Sequence, residues 1–218
     1  MKTAEQIWKE YCDGNTAFPT TDFLHQIAFI LKNRPEVLGA IVKAFLDKKP
    51  NYIYHPRIGA DIEVTFLPKE VYICRNETDI MLAKSEFVHF LDGVDKVYSD
   101  ILPLGTLVEI DKEQLSQELV VSLLGDEPLY VMIMGRKVVF DGAYVDYLAQ
   151  FWPLGFQADL PPMAIHKTMI KRIIAQGYAE SEKESSYVGQ LREILMKTAI
   201  PSHFYLRLQE ELDDENQA

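Results

Sequence analysis

A chain of 218 residues suffices for one large domain or two small ones, and 48% apolar with 25% charged side chains is a globular balance, neither disordered nor membrane-like. No apolar run approaches the roughly 18 residues of a membrane span, so no membrane-spanning helix is expected. A net charge of −11 argues against a nucleic-acid partner, whose phosphates would be repelled. The acidity is heaviest at the end, where residues 179–218 carry nine acidic and four basic side chains. The opening residues 1–10 lack the basic-then-apolar order of a secretory leader, so a cytoplasmic location is expected. Cys12 and Cys74 share no CxxC or Cys/His ligand spacing and read as buried free thiols.

Residues 1–50 read as helical. Thr20-Thr21-Asp22 offer capping oxygens to a helix whose Phe23, Leu24, Ile27, Ile30 and Leu31 share one face and which stops at Asn33-Arg34. Pro35 then suits the first turn of a second helix with Val37, Leu38, Ile41, Val42, Phe45 and Leu46 on its apolar side, giving an αα-hairpin. A DNA-reading helix pair is disfavoured by the few basic residues of the second helix. Residues 51–60 read as a loop, and Asp61–Thr65 with Glu70–Cys74 as two short strands around Leu67-Pro68-Lys69. Asn76-Glu77-Thr78-Asp79 then predict a cap for a helix from Ile80 to about Tyr98, with Gly93 as its weak point.

From Leu104 the pattern changes to strands at Thr106–Ile110, Leu129–Met134, Val138–Phe140 and Ala143–Leu148. Asp141-Gly142 between the last two predicts a tight hairpin, because a type I′ turn requires positive φ at both central residues. Both sides of Leu129–Met134 are apolar, which predicts a strand covered on both faces. Glu113–Leu124 reads as a helical insertion, Pro161-Pro162 as the start of a helical turn through His166, and Ile170–Gln176 as a strand. A helix through Tyr187, Leu191, Ile194 and Leu195 follows, then one from Pro201 to Leu212 that frays into an acidic tail. The expected fold is α+β: a helical hairpin, two short strands and a helix in residues 1–99, a small antiparallel sheet or partly open barrel in 100–184, and C-terminal helices in 185–218. The three segments read equally as one continuous body.

Catalytic signals are missing. His25, His55, His89, His166 and His203 share no metal-pair spacing, and there is no HExxH, no Gly-x-Ser-x-Gly and no Gly-rich phosphate loop. No metal, cofactor or catalytic residue is assigned. The aromatic cluster of Tyr144, Tyr147, Phe151, Trp152 and Phe156 reads either as core or as a platform for a partner, since Trp and Tyr are favoured interface anchors. Tyr144, Tyr147, Trp152 and Phe156 are the partner-binding candidates.

Five short motifs carry a resemblance: Leu102-Pro103-Leu104-Gly105-Thr106, Met132-Ile133-Met134-Gly135-Arg136, Tyr144-Val145-Asp146-Tyr147, Trp152-Pro153-Leu154-Gly155-Phe156 and Gln176-Gly177-Tyr178. In this order they resemble a bacterial family, domain-of-unknown-function family 4176, over about residues 101–184. Two departures stand out, an insertion of about twenty residues from Asp111 to Pro128 and a diluted acidic segment at Glu180, Glu182 and Glu184. Pro103, Gly105, Gly135, Asp141, Gly142, Pro153, Gly155 and Gly177 are the expected structural positions. The resemblance implies an accessory protein of type VII secretion loci in Gram-positive bacteria, a cytoplasmic chaperone or adaptor binding an LXG-type toxin or its targeting factors. An immunity protein and a small hydrolase without a recognisable motif are the alternatives.

Overall fold

The computed structural model describes residues 2–115 and 127–217, which hold six α-helices and two antiparallel sheets. The chain forms two compact units. An N-terminal unit comprises Lys2–Ser99, Leu195–Thr198 and the chain from Tyr205 on, and a central unit comprises Asp100–Ile194 with Ala199–Phe204.

In the N-terminal unit, α1 (Ala4–Gly14) begins at Thr3, whose hydroxyl accepts the Gln6 N–H while the Gln6 side chain accepts the Thr3 N–H. α2 (Asp22–Lys32) is capped by Thr21, and α3 (Pro35–Leu46) carries Pro35 in its first turn, where no N–H is needed. Trp8 of α1 centres an aromatic cluster with Phe18, Phe90 and Tyr98, at ring-centroid distances of 5.8 to 6.3 Å. Its indole N–H donates to His25 Nδ1 at 2.9 Å, so the buried donor is satisfied. α4 (Lys84–Tyr98) meets α1 at Gly93, where a Cβ would stand 2.5 Å from Tyr11 Cε1. The glycine that weakens the helix in isolation is what lets the Tyr11 ring lie on it.

The four strands of this unit, β1 (Asn51–Tyr54), β2 (Ile62–Phe66), β3 (Glu70–Arg75) and β4 (Thr78–Ala83), pair antiparallel in chain order. Two expectations are corrected here. Residues 51–54 are a strand, not loop, because Asn51 to Tyr54 pair with Thr65 to Ile62. Residues 78–83 are also a strand, so the helix begins at Lys84 and not at Ile80. The cause is Asn76, at φ +56°, a left-handed conformation that asparagine tolerates. It turns the chain back so that Arg75 pairs with Thr78, and Ile80 and Leu82 face Ile73 and Val71.

The central unit is built on β5 (Leu107–Ile110), β6 (Leu129–Phe140), β7 (Ala143–Phe151), β8 (Met163–Ile165) and β9 (Ile170–Ala175), in the spatial order β8-β7-β6-β5-β9 with every neighbour antiparallel. The sheet is open, with β8 and β9 as its edges, so the fold is α+β without a closed barrel. Val108, Ile110, Leu129, Val131, Ile133, Ala149 and Phe151 form a buried cluster, against which Val188 and Leu191 of α5 (Glu182–Lys197) pack. Burying each such aliphatic side chain is worth about 1.5–3 kcal/mol.

Asp141 and Gly142 turn between β6 and β7 with φ of +49° and +83°, the signs a type I′ turn needs. β6 runs unbroken through Gly135, joining two stretches the sequence separates, with a register shift between Ile133 and Gly135. The covering of β6 is one-sided: Leu129, Val131 and Ile133 are buried, whereas Tyr130 and Met132 are half-buried and Met134 is 41% exposed. The helical turn expected after Pro161-Pro162 is instead β8, because Met163 to Ile165 pair with Ala149 to Tyr147. Ile170–Ala175 is the strand the sequence predicts. α6 (His203–Gln217) stays helical past Leu212, where fraying is expected. At the expected helical insertion Glu113–Leu124, Lys112–Gln114 form one 3-10 turn, and residues 116–126 lie outside the described residues.

Candidate functional site

The five motifs occupy one unit, and most of their polar atoms are engaged with each other. Gly105, at φ +79°, donates its N–H to the Ile133 carbonyl at 2.8 Å, while the Thr106 hydroxyl donates to the Pro103 carbonyl at 2.7 Å and accepts the Gly177 N–H at 3.1 Å. A Cβ at Gly135 would come within 2.9 Å of Val138 Cγ2 and 3.3 Å of Leu148 Cβ, so the register shift in β6 needs glycine there. Arg136 then reaches α5, with two hydrogen bonds to the Glu184 carboxylate and its guanidinium 5.1 Å from the Tyr187 ring centroid.

Tyr144, Asp146 and Tyr147 lie on β7, where both tyrosines are buried, at 0% and 2% exposure. Strand alternation suggests an outward member among them. The structure corrects this for both: Tyr144 donates its backbone N–H to the Pro201 carbonyl, and the Lys137 ammonium sits 4.6 Å from its ring centroid. The Tyr147 hydroxyl accepts the Leu102 N–H at 3.1 Å, and burial raises its pKa, so the phenol stays protonated. Neither tyrosine is free to anchor a partner.

Asp146, 1% exposed, is the hub of a charged cluster invisible in the sequence. Its Oδ1 accepts from Lys137 Nζ at 2.5 Å, and its Oδ2 lies 3.0 Å from His166 Nε2 and accepts the Lys167 backbone N–H at 3.0 Å. Burial alone would raise the Asp146 pKa, but the Lys137 ammonium and His166 bring it down to about 2. Burial pushes His166 down to about 4 against the pull of Asp146, and its ring stacks on Phe204 at 3.8 Å. Burial likewise lowers the Lys167 ammonium to about 7. Both Asp146 oxygens are thus committed to internal partners, the arrangement of a structural ion cluster. Of the two free thiols, Cys12 is buried as expected and pushed up to about 12, where little thiolate exists at neutral pH, whereas Cys74 is half-buried and not buried as the sequence suggests.

Set against these internally engaged groups is the turn after β7. Trp152, Leu154 and Phe156 are 52%, 58% and 74% exposed. The turn is nonetheless held: Trp152 N–H donates to the Tyr130 carbonyl, Gly155 N–H to the Phe151 carbonyl, both at 2.9 Å, and Gln157 Nε2 to the Leu154 carbonyl at 3.1 Å. The Trp152-Pro153 bond is cis, Gly155 sits at φ +68°, and the Trp152 ring meets Tyr130 edge-on at 6.0 Å. Three large apolar side chains are therefore presented on a preorganised backbone, a surface that resembles a binding anchor more than loose loop. Of the four aromatic candidates, Trp152 and Phe156 lie on this surface, and Leu154 between them escapes a search limited to aromatics.

Residues 101–186 match the family described as domain of unknown function DUF4176. No curated protein and no solved structure matches the chain. Among the described residues, no helix is long and apolar enough to cross a membrane.

Proposed function

We propose that this protein is a non-enzymatic cytoplasmic chaperone or adaptor that holds a protein partner on the Trp152–Phe156 turn, and that the partner is an LXG-type toxin of a type VII secretion system or its targeting factor. The observation that supports the reading is the contrast within the central unit: polar groups of the motifs are engaged internally, while Trp152, Leu154 and Phe156 project from a hydrogen-bonded turn. Such apolar anchors on a fixed backbone lose little conformational freedom on docking. The net charge of −11 suits a partner with a basic surface, which it would steer into encounter.

The test is coexpression with the neighbouring toxin gene. A chaperone raises the amount of soluble toxin and its export, and the complex is recovered by pull-down. Protection of cells from active toxin without a change in export would replace the chaperone reading by the immunity one. Absence of any complex with a neighbouring effector would reject both.

A further inference from the structure

The central sheet has two faces of different character. α5 packs on the side of Leu129, Val131 and Ile133, against the buried cluster. Strand alternation puts Tyr130, Met132 and Met134 of β6 on the opposite side, and strand pairing sets Leu107 and Gln150 on either flank of Met132. Trp152 continues this second face toward the exposed turn, with its N–H on the Tyr130 carbonyl and its ring against the Tyr130 ring. Leu107, Tyr130 and Met132 are half-buried, and Met134 is 41% exposed.

Within this face lies a buried polar group without an acceptor. Gln150 is 5% exposed, and its Nε2 has no hydrogen-bond partner among the described residues. An unmade hydrogen bond of this kind costs stability, and a glutamine on a solvent face ordinarily keeps its amide in water. Because the Gln150 amide is already out of water, a cover over the face adds no desolvation cost for it, and an acceptor carried by that cover is a net gain. Glu109, paired across the strands with Tyr130, is likewise ready to be covered. Its carboxylate is shared by Lys171 and Arg172, at 2.9 and 2.6 Å.

Resting on the proposed function, in which the Trp152–Phe156 turn holds a protein partner, we propose that this face takes an amphipathic helix of that partner. Its apolar stripe lies on Tyr130, Met132 and Met134, and one of its side-chain oxygens accepts from Gln150 Nε2. A sheet face offers side chains and no free backbone groups, so an extended segment laid on it would leave its own N–H and C=O groups unpaired, whereas a helix satisfies its own. Helix on sheet is also one of the stable layer arrangements. Tyr130 to Met134 spans about 13 Å at about 3.3 Å per residue, which a helix of about nine residues matches. Met132, an unbranched side chain, repacks readily enough to admit the acceptor. A second copy of the chain is a poorer occupant, since it would set −11 against −11.

The test uses the full-length protein with the toxin of the neighbouring gene. With p-benzoylphenylalanine in place of Met134, irradiation of the complex should crosslink a toxin peptide whose apolar residues recur at intervals of three and four. At least one of Gln150→Met and Gln150→Leu should raise the melting temperature of the free protein by about 2–4 °C, because an unpaired donor is removed. The same variant should weaken the complex about tenfold, because the acceptor on the helix loses its donor. A glutamine with a purely structural role would lower the melting temperature in both variants. Met134→Lys, at an exposed position, should weaken the complex severalfold with the melting temperature unchanged. No crosslink from position 134, a crosslink to a peptide without helical spacing or to a second copy, a lowered melting temperature in both Gln150 variants, or full-strength complexes from the folded variants would each overturn this inference and leave the proposed function standing. Absence of any complex would overturn both.

Discussion

Gly177 lies so close to Leu104 that a Cβ on it would stand 2.1 Å from the Leu104 carbonyl oxygen. Its N–H meanwhile donates to Thr106 Oγ1 at 3.1 Å, which clamps the residues just past β9 onto the strand-entry turn of β5. Gly177→Ala should therefore force the two backbones apart and cost about 3 kcal/mol, the upper range for overpacking a tight site. Urea denaturation measures it. A loss below about 0.5 kcal/mol would show that the clamp yields without resistance.

At the β6–β7 turn the constraint is conformational, not spatial. No atom lies within 4 Å of a Cβ built on Gly142, but its φ is +83°. Gly142→Val should destabilise the protein by about 1 kcal/mol or more, because a β-branched residue is strained at that φ. Asp141→Asn should be nearly neutral, since asparagine tolerates φ of +49°. Matched thermal melts of the two variants separate the effects.

The buried Asp146 cluster predicts a particular response to acid. His166 has a folded pKa of about 4 against an ordinary 6.5, so the unfolded chain takes up that proton first. Its contribution to stability is whole above pH 6.5 and is lost as pH falls toward 4. Asp146 acts in the next window: at about 2 against 3.8, its contribution is present above pH 3.8 and lost as pH falls toward 2. Chemical denaturation at half-unit pH steps should show stability falling from pH 6.5 to 4, and His166→Gln should flatten that slope by up to one proton. A variant curve parallel to the wild type would remove His166 from the account. Asp146→Ala should cost about 3–5 kcal/mol at neutral pH, because it leaves the Lys137 ammonium buried without its carboxylate.

Under the proposed function, Trp152→Ala and Phe156→Ala should leave the far-ultraviolet circular dichroism unchanged, and each should weaken binding of the proposed toxin partner by about 1–3 kcal/mol, mainly through faster dissociation. Association should slow as salt is raised, reflecting the acidic surface rather than the aromatic anchors. A complex indifferent to both changes would move the docking surface off this turn.

What was legible in the sequence is what local chemistry decides. The Asp141-Gly142 hairpin, the Thr21 cap and Pro35 opening α3 each depend on a few neighbouring residues, and all three stand as read. The strand at Thr78–Ala83 was not legible as one, because Asn76-Glu77-Thr78-Asp79 makes a helix cap and a hairpin turn equally plausible until Ile73 supplies a partner for Ile80. The burial of Tyr144 has a longer-range cause. Alternation along β7 gives it a face, but only the fold puts Pro201 and Ser202 beside it. The Asp146 cluster draws Lys137 and His166 from separate places in the chain, and no spacing rule links them. Leu154 is exposed by a turn geometry, although its apolar side chain alone would assign it to the core.

The chain leaves the N-terminal unit after Ser99, returns to it for Leu195–Thr198, and returns again from Tyr205. During synthesis, the first ninety-nine residues therefore emerge well before the segment bearing Tyr205, Leu208 and Leu212, which are buried side chains of the same unit. The central unit, by contrast, has all of its strands and most of α5 in one continuous stretch. On the ribosome the sheet of the later-made central unit is therefore fully synthesised before the earlier-made unit receives its last helix, and apolar surface of that earlier unit stays open to holdase chaperones in the interval.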